Sequence, residues 1–371
     1  MSITQNRIAS QIAEAIGNTN QLTDIHIRQD SSLFFKGPAG LNKSTEAPVT
    51  RQEIEQFFDF LTEHRAEGDR WRDRIVCSKG DFNEAITVDK KYRLRVNGFY
   101  WGEKKELGAS IRCQPCDVKN MDVLGVPEIM KFFLENKGLI LVTGPTGAGK
   151  STTIAAAIEY LNHSETPRNI ITIEDPIEYE ISSKSCLITQ REVGTGYLAS
   201  MADGVVSALR QNPDVIVVGE AREKDTISTM LRAAASGHLV LGSMHTNNAR
   251  DTVEAILSVY QGEEVGVKAA ALASRLVGVV SQQLVPRKDR KSFILATEVL
   301  IINNAVRNAI RTQDYTQFTN LMNESRESRS SYTLNSELAE MVRNDQVSKE
   351  DAIAATYDPD GLRKALGVIG S

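Results

Sequence analysis

Apolar residues recur along this chain at two periods, and the changes of period outline two domains. Ile8, Ile12 and Ile16 fall at helical spacing and predict a short amphipathic helix. Thr23 to Ile27 alternates as a strand should, and Ser32 to Phe35 reads as a second strand. Gly37 to Pro48 carries Gly, Pro, Asn, Ser and Thr and reads as a loop. Within Arg51 to Arg65, Ile54, Phe57, Phe58 and Leu61 lie at i, i+3, i+4 and i+7, one face of a helix. Strand-like segments at Glu84 to Val88, Tyr92 to Asn97 and Gly108 to Arg112 complete a small α+β domain, residues 1–116, with an antiparallel sheet. Residues 117–127 read as a linker, and the second domain spans 128–371.

In the second domain, short apolar runs alternate with helical patterns. Leu139 to Val142, Asn169 to Ile173, Val215 to Val218 and His238 to Met244 read as buried strands. Leu198 to Gln211 and Thr226 to Ser236 read as helices between them. The alternation predicts a parallel sheet wrapped by helices, with ligands at the carboxyl ends of its strands. From about residue 262 a mostly helical portion is expected. It begins with an Ala-rich helix over Val267 to Ser281, then a hairpin of Gln283 to Val285 with Phe293 to Glu298 around a basic turn. Helices follow at Val306 to Arg311, Tyr315 to Asn323, Leu334 to Arg343 and Lys349 to Tyr357, and Asp358-Pro-Asp-Gly361 interrupts them before a last turn or two.

The first buried run leads into GPTGAGKST, and an Ala-rich helix follows. Strand, Gly-rich loop and helix in that order form a phosphate-binding loop. Gly144, Gly147 and Gly149 open backbone angles closed to other residues, so in the loop Gly144, Pro145, Thr146, Gly147, Ala148, Gly149 and Thr152 every residue but the proline, which has no N–H, can turn its amide toward phosphate oxygens. The helix N-terminus adds roughly half a positive charge. Lys150 would reach the β- and γ-phosphates, and the Ser151 hydroxyl would sit on Mg²⁺. A nucleoside triphosphate, ATP in the simplest reading, is the expected ligand.

Composition narrows the classes. At 371 residues the chain exceeds one ordinary core. A net charge of −5 gives no general attraction to nucleic acid, and none is expected as a partner. No apolar run approaches the roughly 18 residues of a spanning helix, so a cytoplasmic protein is expected, touching a membrane only through partners. Cys77, Cys113, Cys116 and Cys186 do not form a disulfide framework, and Cys113–Cys116 lacks the second pair of a zinc site.

Triphosphate hydrolysis also needs a group that orients water and positive charge for the γ-phosphate. Glu220, after the run Val215 to Val218, and Glu174, at another strand end, are the candidates. Glu220 would serve the Mg²⁺ shell or the water, and which of the two carboxylates is the base stays open. By spacing alone His238 and His245, and the strand arginines Arg93, Arg95 and Arg112, read as ordinary core or surface residues. Two histidines seven apart on one strand face opposite ways, which excludes a shared zinc. A GTPase would need an NKxD motif, a transporter ATPase an LSGGQ-type signature, and a RecA-like nucleic-acid motor a basic, aromatic stripe.

GPTGAGKSTT, ITIEDPIEY, NPDVIVVGEAR and GHLVLGSMHTNNARDTVEAI resemble, in order and spacing, the four motif boxes of the PilT/GspE secretion ATPases. Similarity extends to Thr23 to Ile27, Arg93 to Phe99, Asn304 to Arg311 and Asp358 to Arg363, and within the family the chain looks closest to DotB and the plasmid TraJ ATPases of type IVB secretion. The resemblance implies a PAS-like N-terminal domain and a RecA-like ATPase domain. It also implies a homohexamer at the cytoplasmic face of an inner-membrane secretion complex. It gives roles to Glu174 as general base, to Glu220 at Mg²⁺ or water, to His238 and His245 as sensors, and to Arg93, Arg95 and Arg112 as triphosphate contacts. Ala148 stands where PilT usually has Ser, Glu223 where Asp is common, and Ala305 to Arg311 only approximates the retraction-linked AIRNxxRE motif. Type IVB secretion is therefore the expected task, with PilT-type retraction or a nucleic-acid motor as alternatives.

Overall fold

The structure, a computed structural model, describes residues 6–18, 22–88, 92–194, 198–324 and 331–367. It divides into two compact units, one up to Asp117 that also takes in Pro286–Phe293, the other from Val118 onward.

The first unit contains α1 (Arg7–Asn18), β1 (Asp24–Arg28), β2 (Phe34–Gly37), β3 (Gly40–Lys43), α2 (Arg51–Thr62), α3 (Trp71–Cys77), β4 (Asp81–Val88), β5 (Tyr92–Trp101) and β6 (Glu106–Pro115). Its six strands run in the order β3-β2-β1-β6-β5-β4, every pair antiparallel. The helical stripe read from sequence is the core face: Ile54, Phe57, Phe58 and Leu61 are all buried. Phe58 meets Phe82 edge-on at 4.8 Å and Trp71 at 5.2 Å, a geometry the ring quadrupoles favour. Thr50 and Glu53 form a capping box that starts α2. Two elements depart from expectation. The stretch expected as a loop holds β3, whose four residues are all exposed and so carry no apolar signal. Trp71–Cys77 is a helix too short to show a period.

The second unit contains α4 (Met121–Leu124), α5 (Ile129–Leu134), β7 (Gly138–Thr143), α6 (Lys150–Asn162), β8 (Asn169–Glu174), β9 (Leu187–Glu192), α7 (Met201–Ala208), β10 (Val215–Val218), α8 (Lys224–Ala235), β11 (Leu239–Met244) and α9 (Ala249–Ser258). It continues with α10 (Glu263–Arg275), β12 (Leu276–Pro286), β13 (Phe293–Ile301), α11 (Asn304–Thr312), α12 (Phe318–Glu324), α13 (Leu334–Arg343), α14 (Lys349–Ala355) and α15 (Pro359–Ala365). The seven strands run β13-β12-β7-β11-β10-β8-β9, and the pairs from β12 through β9 are parallel. β7, β10 and β11 are buried at every residue, as strands covered on both faces must be. Alternation sorts their side chains: Leu139 and Leu141 join one core with α7 to α11, Ile140 and Val142 a second with α4 to α6.

Three expectations change here. Leu276 to Ser281 belongs to β12, not to the Ala-rich helix, because Leu-Val-Gly-Val-Val pairs in parallel with β7. The portion beyond 262 is thus helical only in part. The stretch 118–127 contains α4, and Met121 and Val126 are buried in the second unit's core. The expected interruption falls at Thr356 to Asp358 instead of Asp358 to Gly361: α14 ends at Ala355, and Asp358 caps the seven-residue α15, with Pro359 in its first turn.

Candidate active site

The carboxyl edge of the second sheet gathers the motif residues because register aligns the strand ends. Met244 lies opposite Thr143, and Val218 opposite both Gly242 and Ile173. The residues that follow, Gly144, His245, Glu220 and Glu174, therefore leave the sheet along one edge.

The loop from Gly144 to Gly149 turns β7 into α6. Gly144, Gly147 and Gly149 have φ of +144°, +82° and +85°, angles that bring amides inward and that L side chains rarely adopt. Space also demands glycine at Gly144, where a Cβ would lie 2.3 Å from the Gln282 carbonyl oxygen. Ala148 is buried, while Thr146, Gly147 and Ser151 are exposed. Thr152 shares a 2.8 Å hydrogen bond with the Tyr179 hydroxyl.

Lys150 is 7% exposed and donates to the carbonyls of Gly144 at 2.7 Å and Pro145 at 3.0 Å. Burial lowers its pKa to about 8, against the smaller pull of Glu220 and Glu178. Its ammonium also lies 3.3 Å from His245 Nδ1. An ammonium only donates, so in this contact Nδ1 is the acceptor. Nε2 faces Glu220 Oε1 at 3.7 Å.

Glu220 is held by its neighbours. Gly219 N–H donates to Ile173 O at 2.7 Å, the Ser243 hydroxyl to Gly219 O, and Ala221 N–H to Ser243 O at 2.8 Å. A Cβ on Gly219 would lie 3.2 Å from Glu174 Cα, so glycine is what brings the two carboxylate-bearing strand ends together. Glu174 Oε1 accepts from Thr172 Oγ1 at 2.6 Å and Gln190 Nε2 at 3.1 Å. Burial raises its pKa above the ordinary carboxylate range, and those two donors offset part of that rise.

The structure does not bring His238 here. It precedes β11, its backbone carbonyl accepts from Gly138 N–H, and its Nδ1 lies 3.0 Å from Ala233 O. A parallel six-residue strand puts it about 20 Å from the carboxyl edge, which corrects its expected sensor role within one subunit. Arg93, Arg95 and Arg112 lie in the first unit, on the sheet face opposite the buried Leu94 and Val96. Arg95 and Arg112 are direct cross-strand partners, and Arg112 Nε is 3.8 Å from Asp24.

Several site residues are absent from the motif reading. Gln282, 1% exposed on β12, donates Nε2 to Ala148 O at 2.6 Å, and Ser281 accepts from Thr143 Oγ1 at 2.8 Å. The polar Ser-Gln-Gln inside an apolar strand was the available signal. Gln190 arrives on β9, an edge strand with no clear alternation. The cysteines take no part: Cys113 is buried and its thiol is pushed up to about 12. Among the described residues no cluster of His, Cys, Asp and Glu could hold a metal by itself.

The model of the type II/IV secretion system protein family matches residues 70–359, well over half of the chain. The chain belongs to that family. The type IV pilus retractation ATPase PilT of Pseudomonas aeruginosa is 38% identical over 289 residues, 76% of this chain and 82% of the relative. The crystal structure of the pilus retraction motor PilT with bound ADP superposes with a TM-score of 0.77 at 34% identity, covering 95% of this chain and 98% of that one. The Legionella pneumophila ATPase DotB superposes with a TM-score of 0.80, covering 94% of each chain, but at 24% identity, which speaks for the fold alone. This family member is thus an ATPase, its two units forming the family's α/β architecture with an N-terminal sheet domain. The expected closeness to DotB is not supported, because identity is higher to PilT. No helix among the described residues is long and apolar enough to cross a membrane.

Proposed function

We propose that this ATPase is a retraction-type motor of a type IV pilus. The identity of 34–38% to PilT proteins over most of both chains carries that reading, in preference to type IVB secretion. In it, the Gly144 to Thr152 loop and Lys150 hold the β- and γ-phosphates. The exposed Ser151 hydroxyl and Glu220 offer the oxygen donors a hard cation prefers, and Mg²⁺ held there would neutralise phosphate charge. Glu174, its proton affinity raised by burial, is suited to take the proton of the attacking water. Arg93, Arg95 and Arg112 would supply positive charge to the triphosphate, as the family resemblance implies, Arg95 and Arg112 being direct cross-strand partners. Differing contacts with ATP and ADP would bias a homohexamer between ring states. The motor would work at the cytoplasmic side of an inner-membrane machine that it reaches through partner proteins.

Two measurements test this. Lys150→Ala is expected to lose hydrolysis by about 10²-fold or more, while Glu174→Gln binds ATP and turns it over poorly; unchanged phosphate release in either variant sinks the site assignment. In the host of origin, deletion should leave pili that extend without retracting. Intact retraction together with loss of a secreted product would favour the secretion reading instead.

A further inference from the structure

Glu298 lies on β13, 1% exposed, and its carboxylate serves three segments at once. Oε1 accepts from the N–H of Ala249, the first residue of α9, at 2.8 Å. Oε2 accepts from the N–H of Leu334, the first residue of α13, at 3.2 Å, and from the hydroxyl of Tyr357, between α14 and α15. Two ten-residue helices thus point their positive ends at one buried acid.

Neither helix needs that acid as a cap. Asn248 accepts from Asp251 N–H and Thr333 from Ser336 N–H, so both N-termini carry their own caps. Burying a carboxylate is costly, and here that cost is offset by the three hydrogen bonds it accepts. Its gain lies in geometry. The segment just before α9 is His245 to Asn248, and it is laced to the first turn: Thr252 Oγ1 donates to Asn248 O at 2.7 Å and shares a 2.6 Å bond with Thr246 Oγ1. Fixing the start of α9 therefore fixes the loop that sets His245 beside Lys150 and Glu220.

We propose that Glu298 is a positioning residue: through Ala249 it holds the His245 loop in register with the phosphate-binding loop, and through Leu334 and Tyr357 it makes that register depend on the C-terminal helices α13 to α15. The proposal rests on the reading of His245 as a working part of the hydrolytic site. It differs from that reading in placing control of the site in a segment more than 80 residues further along the chain.

Tyr357→Phe removes one hydroxyl and leaves every other group in place, so it is the primary test in the full chain. Hydrogen exchange should accelerate in residues 245–252 while the α6 amides, 150–162, keep their protection. In phosphate-release kinetics kcat should fall about tenfold, equivalent to ~1.4 kcal/mol, with KM for ATP within twofold of the parent. Glu298→Gln, which faces Leu334 N–H or Ala249 N–H with a second donor, should do the same more strongly, and Glu298→Asp less. Unchanged exchange over 245–252 in Tyr357→Phe overturns the proposal whatever the kinetics show. A general loss of protection, with KM rising as kcat falls, marks a merely structural residue and overturns it too. Faster local exchange with kcat unchanged supports the mechanical link and instead removes His245 from the hydrolytic site.

Discussion

Glu174 and Glu220 leave adjacent strand ends, yet their surroundings differ. Glu174 is desolvated and its pKa raised, whereas Glu220 is 41% exposed along its side chain and faces a histidine. A base must be ionised to act, so a raised pKa moves the acid limb of the kcat profile upward. Activity should therefore decline on acidification at a pH above the ordinary carboxylate range, and Glu174→Gln should lose that limb; a limb at the unperturbed value would assign the base elsewhere. Gln282 makes a separate prediction. Gln282→Leu leaves the Ala148 carbonyl without its buried donor, a penalty of ~1–3 kcal/mol. ATP affinity should weaken by about tenfold while the variant stays folded, read by nucleotide binding. Unchanged affinity would show that β12 does not shape the loop.

At the scale of elements, β12 decides more than its place near the end of the sheet suggests. Its Ser281 and Gln282 buttress β7 and the phosphate-binding loop, and its Gly278 packs beneath α5. A Cβ at Gly278 would lie 2.2 Å from the Phe133 ring. Gly278→Ala should therefore destabilise by ~1–3 kcal/mol through overpacking, measured by denaturant unfolding. Unchanged stability would mean that α5 shifts without cost. The helical period over Val267 to Ser281 misled because Ala-rich α10 runs straight into β12 without a turn signal, Arg275 and Leu276 being adjacent. Conversely, β7, β10 and β11 were legible because strands buried on both faces must be continuously apolar.

For the whole molecule, the homohexamer proposed above should assemble. Light scattering with a non-hydrolysable ATP analogue is expected to show a hexamer, and a monomer under every nucleotide condition would contradict the ring reading. Single-stranded DNA should leave hydrolysis unchanged, since the net charge of −5 offers no general phosphate attraction. Strong, salt-sensitive stimulation would revive the nucleic-acid motor.

The sequence by itself determined the nucleotide loop, the two-unit organisation and the strands carrying Glu174, Glu220 and His245. Those features depend on local spacing: glycines where φ is positive, apolar runs where both strand faces are covered. What it could not decide was which end of a strand meets which. Only parallel register places His245 at the carboxyl edge and His238 at the opposite one, although both flank the same six residues. Only tertiary packing brings Gln190, Gln282 and Glu298 to partners 16, 134 and 49 residues away. A polar side chain carries no periodic mark of the single distant atom it will bond.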